Sequence, residues 1–201
     1  MGYQCKVRKK HMCTERIDER IHILIERINQ LKQGVHVIAI DGRCASGKTT
    51  MANRLGELFH AGVIHMDDFF LPLHMRTDER LHTPGGNVHY ERFCDEVLPN
   101  LNSTAGFSYR KFDCHKMEYA DSVEVTGGSL YFVEGAYSCH PALGEYMSLR
   151  VFSDVDKDTQ RHRIVQRGGK DVLSAFENKW IPMEEAYFQT FQIEKRARII
   201  L

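Results

Sequence analysis

Gly42-Arg43-Cys44-Ala45-Ser46-Gly47-Lys48-Thr49 sets two glycines with four residues between them and follows the second with a lysine and a threonine. Glycines allow the backbone to curl so that successive N–H groups face an anion. The lysine brings a mobile cation to the outer phosphates, and a threonine hydroxyl at this place is a Mg²⁺ ligand. The spacing satisfies G-x-x-x-x-G-K-[ST] at every defined position. It also lies directly after an apolar β-branched run, Val35 to Ile40, and opens a helix-compatible stretch from Lys48 to about His60, with Thr50 in its first turn. Residues 42–50 are therefore read as a phosphate-binding loop for a nucleoside triphosphate. Guanine readers carry Asn-Lys-x-Asp, whereas Asn178-Lys179 is followed here by Trp180 and Ile181, so ATP with Mg²⁺ is the expected ligand.

Such a loop serves many reactions, and the other charged residues must decide among them. Asp67 and Asp68 close the run Val63 to Met66, and Glu134 closes Leu130 to Val133. Phosphoryl transfer to an alcohol needs an oriented hydroxyl, a metal, and cations around the moving group. Asp67 is the candidate to orient or deprotonate the hydroxyl, and Glu134 to hold Mg²⁺ or its water shell together with Thr49. Asp68 either faces the acceptor or caps a turn. Arg161, Arg163 and Arg167 stand on an expected helix, Asp158 to Arg167, leading into Gly168-Gly169. That helix is either a lid that closes guanidinium groups over the phosphates or a solvated face. Phe70, Tyr109 and Phe112, with Phe69, Tyr90 and Phe93, either stack on a base or fill the core.

The elements that must position these residues alternate strand and helix, which implies a mostly parallel five-stranded sheet with helices on both faces and ligands beyond the carboxyl ends of the strands. Expected strands are 35–40, 63–66, 130–133, 149–152 and 197–201. Expected helices include 48–60, 90–98, 158–167 and 184–191. Two weaker runs, 107–112 and 122–125, read as a small β excursion, and Leu71 to Val88, with Pro72, Pro84, Gly85 and Gly86, as a long irregular loop. Ahead of the sheet, Ile17, Ile21, Leu24, Ile28 and Leu31 recur at helical spacing, giving an amphipathic helix from Thr14 to Gln33 capped by Gly34. The organisation expected is thus an N-terminal helix, 1–34, packed on a domain of residues 35–201.

Composition excludes several classes. Lys plus Arg and Asp plus Glu both total 27, so no net charge draws the chain to nucleic acid or anionic lipid. The six cysteines, at 5, 13, 44, 94, 114 and 139, lack metal-site or disulfide-scaffold spacing and read as reduced thiols in a cytoplasmic protein. No apolar run reaches the roughly 18 residues of a membrane span. A small molecule is the expected partner, and a homo-oligomer stays open.

The loop at 42–49, Asp67-Asp68-Phe69-Phe70, Thr83-Pro84-Gly85-Gly86-Asn87, Phe112-Asp113, Val133-Glu134-Gly135, the segment Arg161 to Arg167 and Trp180-Ile181-Pro182 together resemble the uridine kinase and uridine-cytidine kinase group, related to phosphoribulokinase. The resemblance spans about residues 35–201. It implies a P-loop fold with a helical lid, and transfer from ATP to the 5′-hydroxyl of a nucleoside such as uridine or cytidine. By the same resemblance Asp67 would activate that hydroxyl, Glu134 would accompany Mg²⁺, and Arg163 and Arg167 would be lid arginines. Tyr109, Phe112 and His115 would line the pyrimidine site, and His89 stands where these kinases place an aspartate on the ribose. Phe112 stands where tyrosine is common. The remaining alternatives are another alcohol, such as a sugar phosphate or vitamin precursor, and a nucleotide-binding regulatory protein whose acceptor site has decayed.

Overall fold

The computed structural model describes residues 17–114 and 116–201. Its centre is a strand whose near-continuous burial and branched side chains suit a position covered on both faces, β1 (His36–Gly42). Around it lie β2 (Gly62–His65), β5 (Leu130–Glu134), β6 (Leu149–Ser153) and the two-residue β7 (Ile199–Ile200), in the order β2-β5-β1-β6-β7, every pairing parallel. β3 (Phe107–Asp113) and β4 (Glu118–Val125) form a separate antiparallel ribbon.

Alternation along β1 divides the core. Ile38 and Ile40 face a helical layer made of α1 (17–28) and α2 (Lys48–Phe59), where Ile21, Leu24, Ile28, Met51 and Leu55 are buried. Val37 and Ala39 face the opposite side, covered by Phe93 of α4 (Tyr90–Glu96) and by Tyr187 and Phe188 of α6 (Ile181–Phe191). The remaining helices are the five-residue α3 (Asp78–His82), the long α5 (Lys157–Ala175) and α7 (Ile193–Arg196).

Several boundaries differ from the expectation, each for a local reason. The first helix ends at 28 rather than 33, because the chain tightens to three-residue steps, with Gln30 N–H on Arg27 O and Leu31 N–H on Ile28 O; its expected start, 14–16, lies outside the described residues. The stretch 71–88 is not structureless. It holds a 3₁₀ turn at Leu73–Met75 and then α3, whose N-cap hydroxyl, Thr77, accepts the Arg80 N–H at 3.2 Å. The helix expected to stop at Arg167 runs on to Ala175, with a break where Gly169 adopts φ 83°. A π-helical turn, Phe176–Trp180, then leads into α6, which begins at Ile181 with Pro182 in its first turn.

Candidate active site

The loop between β1 and α2 owes its shape to its glycines and to what grips it from behind. At Gly42, with φ 130°, an added Cβ would lie 2.1 Å from the Ser153 carbonyl oxygen, because β1 and β6 converge there. Ala45 and Gly47 also have positive φ, 59° and 103°, which turns consecutive amides toward the inside of the bend. Lys48 is buried, and its Nζ donates to the carbonyls of Gly42 and Arg43, both at 2.8 Å. Arg43 turns away and is fixed by Glu185 at 2.7 Å and Asp154 at 2.6 Å. From α1, Arg20 donates to Ser46 O at 3.1 Å and Asp154 O at 3.0 Å, while Ile17 packs against Gly47.

Residues of α5 and α6 close the loop from above. Arg163 donates to Ala45 O at 2.8 Å and Gln160 to Cys44 O at 3.1 Å. Glu184 accepts the Cys44 N–H at 2.9 Å. Burial raises the Glu184 carboxyl to a pKa of about 7, against the pull of Lys48 and Cys44. Burial, then the Glu184 charge, drives the Cys44 thiol upward, so it stays protonated, the opposite of an activated cysteine.

A cleft of about 570 Å³ opens at the carboxyl ends of β1, β2 and β5. Of the residues singled out in sequence, Cys44, Ala45, Lys48 and Thr49 line it on the loop side. Asp67, Phe70, Glu134 and Arg167 line it opposite. Asp67 sits on a 3₁₀ turn directly after β2, where its side chain is surrounded by the walls of the cleft yet exposed to the solvent within it. That recess, and then the neighbouring Glu134 charge, raises its pKa. Glu134 is buried and held by His65, whose Nδ1 lies 2.6 Å from Oε1. This hydrogen bond raises the His65 pKa against a smaller effect of burial.

Other candidates lie elsewhere. Asp68 points behind the cleft, accepting the Tyr109 hydroxyl at 2.7 Å and pairing with Lys111 at 3.2 Å. Tyr109 and Phe112 are in the packed interior, Tyr109 beside Phe69 and Phe112 edge-on to Tyr119, and neither lines the cleft. Strict alternation would set residues three apart on opposite faces; the register shift between Arg110 and Phe112 turns both inward. His89 precedes α4 outside the cleft lining, and burial lowers its pKa. Arg161 pairs with Glu177 at 2.5 Å. Gly42, Arg43, Ser46 and Gly47 shape the loop without lining the cleft, and Thr50 is exposed on α2. His115 lies outside the described residues.

Residues missed in sequence are as prominent. Asp41, wholly buried before the loop, accepts N–H groups of Gly42 at 2.7 Å and Cys139 at 2.9 Å and the Tyr187 hydroxyl at 2.8 Å. It ties β1, the turn after β5 and α6 together. Those partners oppose the rise in its pKa that burial causes. Tyr137, at φ 75°, and Glu184, Arg76, Asn87 and Trp180 also line the cleft. No period or motif marks Glu184, whose role arises only from the approach of α6. Among the described residues no cluster of three or more His, Cys, Asp or Glu forms a metal cage. Thr49 and Glu134, which line the same cleft, are of the kind that suits Mg²⁺, a cation that takes one or two protein ligands and the rest from phosphate and water.

No protein-family model and no curated protein sequence matches the chain. Solved structures do. A protein from Bacillus stearothermophilus described as a possible uridine kinase superposes with a TM-score of 0.70 at 21% identity, over 92% of this chain and 99% of the other. One from Silicibacter sp. TM1040, provisionally named a fructose transport system kinase, gives 0.69 at 19%, over 92% and 98%. D-glycerate 3-kinase from Cryptococcus neoformans var. grubii gives 0.55 at 14%, over 85% and 88%. This chain has the same α/β fold as these three proteins, with its five-stranded parallel sheet flanked by helices.

Proposed function

We propose that the chain is an ATP-dependent kinase that transfers the γ-phosphoryl group to a hydroxyl of a small-molecule alcohol. The observation that carries this reading is Asp67, a recessed carboxylate with a raised pKa that shares one cleft with Lys48 and Thr49. Nucleotide binding with Mg²⁺ does not require a second carboxylate beside Glu134, whereas an alcohol acceptor needs one to orient its hydroxyl and take its proton. A raised pKa brings the group nearer to working pH. The names of the three structural neighbours, all kinases, agree with the reading.

Loop amides from Ala45 to Thr50 would hold the phosphates, and Thr49 with Glu134 would hold Mg²⁺, which supplies charge neutralisation at the phosphates when bound. Lys48, released from the carbonyls of Gly42 and Arg43, supplies a cation at the outer phosphates. Arg167 faces the cleft and Arg163 fixes Ala45, so the first is the candidate for countering transition-state charge and the second for holding the loop. The domain expected at 35–201 would be the catalytic unit, braced by the helix ahead of it, in a cytoplasmic protein.

Within this class the sequence resemblance favours a nucleoside. Phe70 and Trp180, with ring centroids 5.9 Å apart and planes inclined at 60°, offer an aromatic corner for a ring. The test is ADP release with product mass analysis over uridine, cytidine, sugar phosphates and vitamin precursors, for wild type and Asp67→Asn. A product heavier by one phosphate, lost in the variant, is expected. ATP binding without transfer to any alcohol would instead favour a nucleotide sensor.

A further inference from the structure

The end of the cleft remote from the phosphate loop has a charge that ATP, Mg²⁺ and Asp67 do not use. Arg76 lines the cleft, and a small adjoining cavity of about 20 Å³ shares Phe70, Arg76, Asn87 and Trp180 with it but no residue of the phosphate loop. That cavity adds room for a group about the size of a water, and Lys179 forms its outer edge.

Arg76 donates Nε–H to the Leu71 carbonyl at 2.8 Å. Its two terminal nitrogens make no hydrogen bond or ion pair among the described residues. Lys179 lies 4.7 Å from the Trp180 ring centroid and has no carboxylate partner among them either. Asn87 is buried, and neither its amide oxygen nor its nitrogen makes a well-formed hydrogen bond, although the Tyr137 hydroxyl lies near enough to feel it. Buried amides are ordinarily satisfied, so an open one beside an unpaired guanidinium marks a place for a polar ligand group.

The two side chains are pre-positioned. Leu71 serves both, its carbonyl accepting from Arg76 and its N–H donating to Asn87 O at 3.4 Å. Arg80 clamps the chain on either side of Asn87, donating to Gly86 O at 2.8 Å and Val88 O at 3.0 Å. Gly86 admits no side chain there, since a Cβ would meet Arg80 O at 1.9 Å.

Building on the kinase reading, we propose that the acceptor is an anionic alcohol. Its carboxylate or phosphate is bound by Arg76 and Asn87, with Lys179 adding positive potential, while its hydroxyl reaches Asp67. A guanidinium fork matches the two oxygens of either group.

Paired probes test this: glycerol against D-glycerate, ribose against ribose 5-phosphate, and uridine against uridine 3′-monophosphate. Each is added to the intact protein with Mg²⁺ and a nonhydrolysable ATP analogue, and Tm is read. ADP release is then measured with ATP. An anionic member should raise Tm above its neutral partner and be the better substrate. Arg76→Ala should raise the KM of that anion about ten- to a hundred-fold and leave the KM for ATP unchanged, and Arg76→Lys should recover part of the loss. The proposal falls if no anionic probe outdoes its neutral partner in Tm, or if Arg76→Ala binds the anion as wild type does. Anions that bind through Arg76 yet accept no phosphate would uphold the subsite and defeat the kinase reading.

Discussion

The Glu184 carboxylate accepts the backbone N–H of Cys44 at 2.9 Å, so helix α6 occupies one amide of the glycine-rich loop between β1 and α2. Its pKa, about 7 in the fold against 4.5 for a free side chain, has a definite consequence. Between those values the folded protein holds a proton that the unfolded chain has released. Stability therefore falls as pH rises through this window. Glu184→Gln cannot titrate, so its Tm relative to wild type should climb from pH 4.5 to pH 7. Parallel Tm curves for the two proteins would show that the group does not titrate as argued.

His65 and Glu134 give a pH dependence of the same sign from a different cause. The histidine pKa is raised above 6.5, first by the hydrogen bond to Glu134. The stabilisation is therefore complete below about 6.5 and lost as pH climbs through the raised value. His65→Gln should flatten the pH dependence of Tm in this range and, by loosening Glu134, raise the Mg²⁺ concentration needed for half-maximal ADP release severalfold. An unchanged Mg²⁺ titration would show that His65 does not act through Glu134 on the cation.

Asp67→Asn should lower kcat by about 10²–10⁴-fold, the usual range for a general base, with ATP affinity held within about twofold because no phosphate contact is removed. Lys48→Ala should weaken both nucleotide binding and turnover. Calorimetric titration with an ATP analogue beside steady-state kinetics distinguishes the two patterns.

Gly42→Ala places a methyl group 2.1 Å from the Ser153 carbonyl at a φ of 130°. The strands cannot part without breaking β1–β6 pairing, so a loss of about 3 kcal/mol or more is expected from urea denaturation. Gly144, with φ 69° and ψ −161° but nothing within 4 Å of an added Cβ, separates strain from clash: its alanine variant should lose about 1–3 kcal/mol from backbone strain alone, less than Gly42→Ala.

What could be read from sequence was whatever local chemistry determines. The phosphate loop, the branched strands β1, β5 and β6, and the carboxylates Asp67 and Glu134 at strand ends all announce themselves within a few residues. Alternation along β3 would set Tyr109 and Phe112, three residues apart, on opposite faces; the register shift between Arg110 and Phe112 that buries both has no mark in the sequence. Asp68 offered two readings; one residue on from Asp67, its side chain points into the ribbon. Glu184, Arg76 and Asn87 gain their meaning from long-range packing of α6 and the segment after β2, which no spacing encodes. The helical turn at Asp78–His82 was hidden by the neighbouring prolines and glycines, although Thr77 marked its start.

Helix α1 contributes Arg20 to Ser46 O and Asp154 O, Ile17 to the flank of Gly47, and Asp18 to Arg54 of α2 at 2.6 Å. A fragment starting at Val35 would contain every residue of the family resemblance and still lose these struts. It would also leave Ile38, Ile40 and Leu55 without their cover from Leu24 and Ile28. Such a fragment is expected to aggregate and to bind nucleotide poorly, which sets the practical limit for trimming this protein upstream of Ile17.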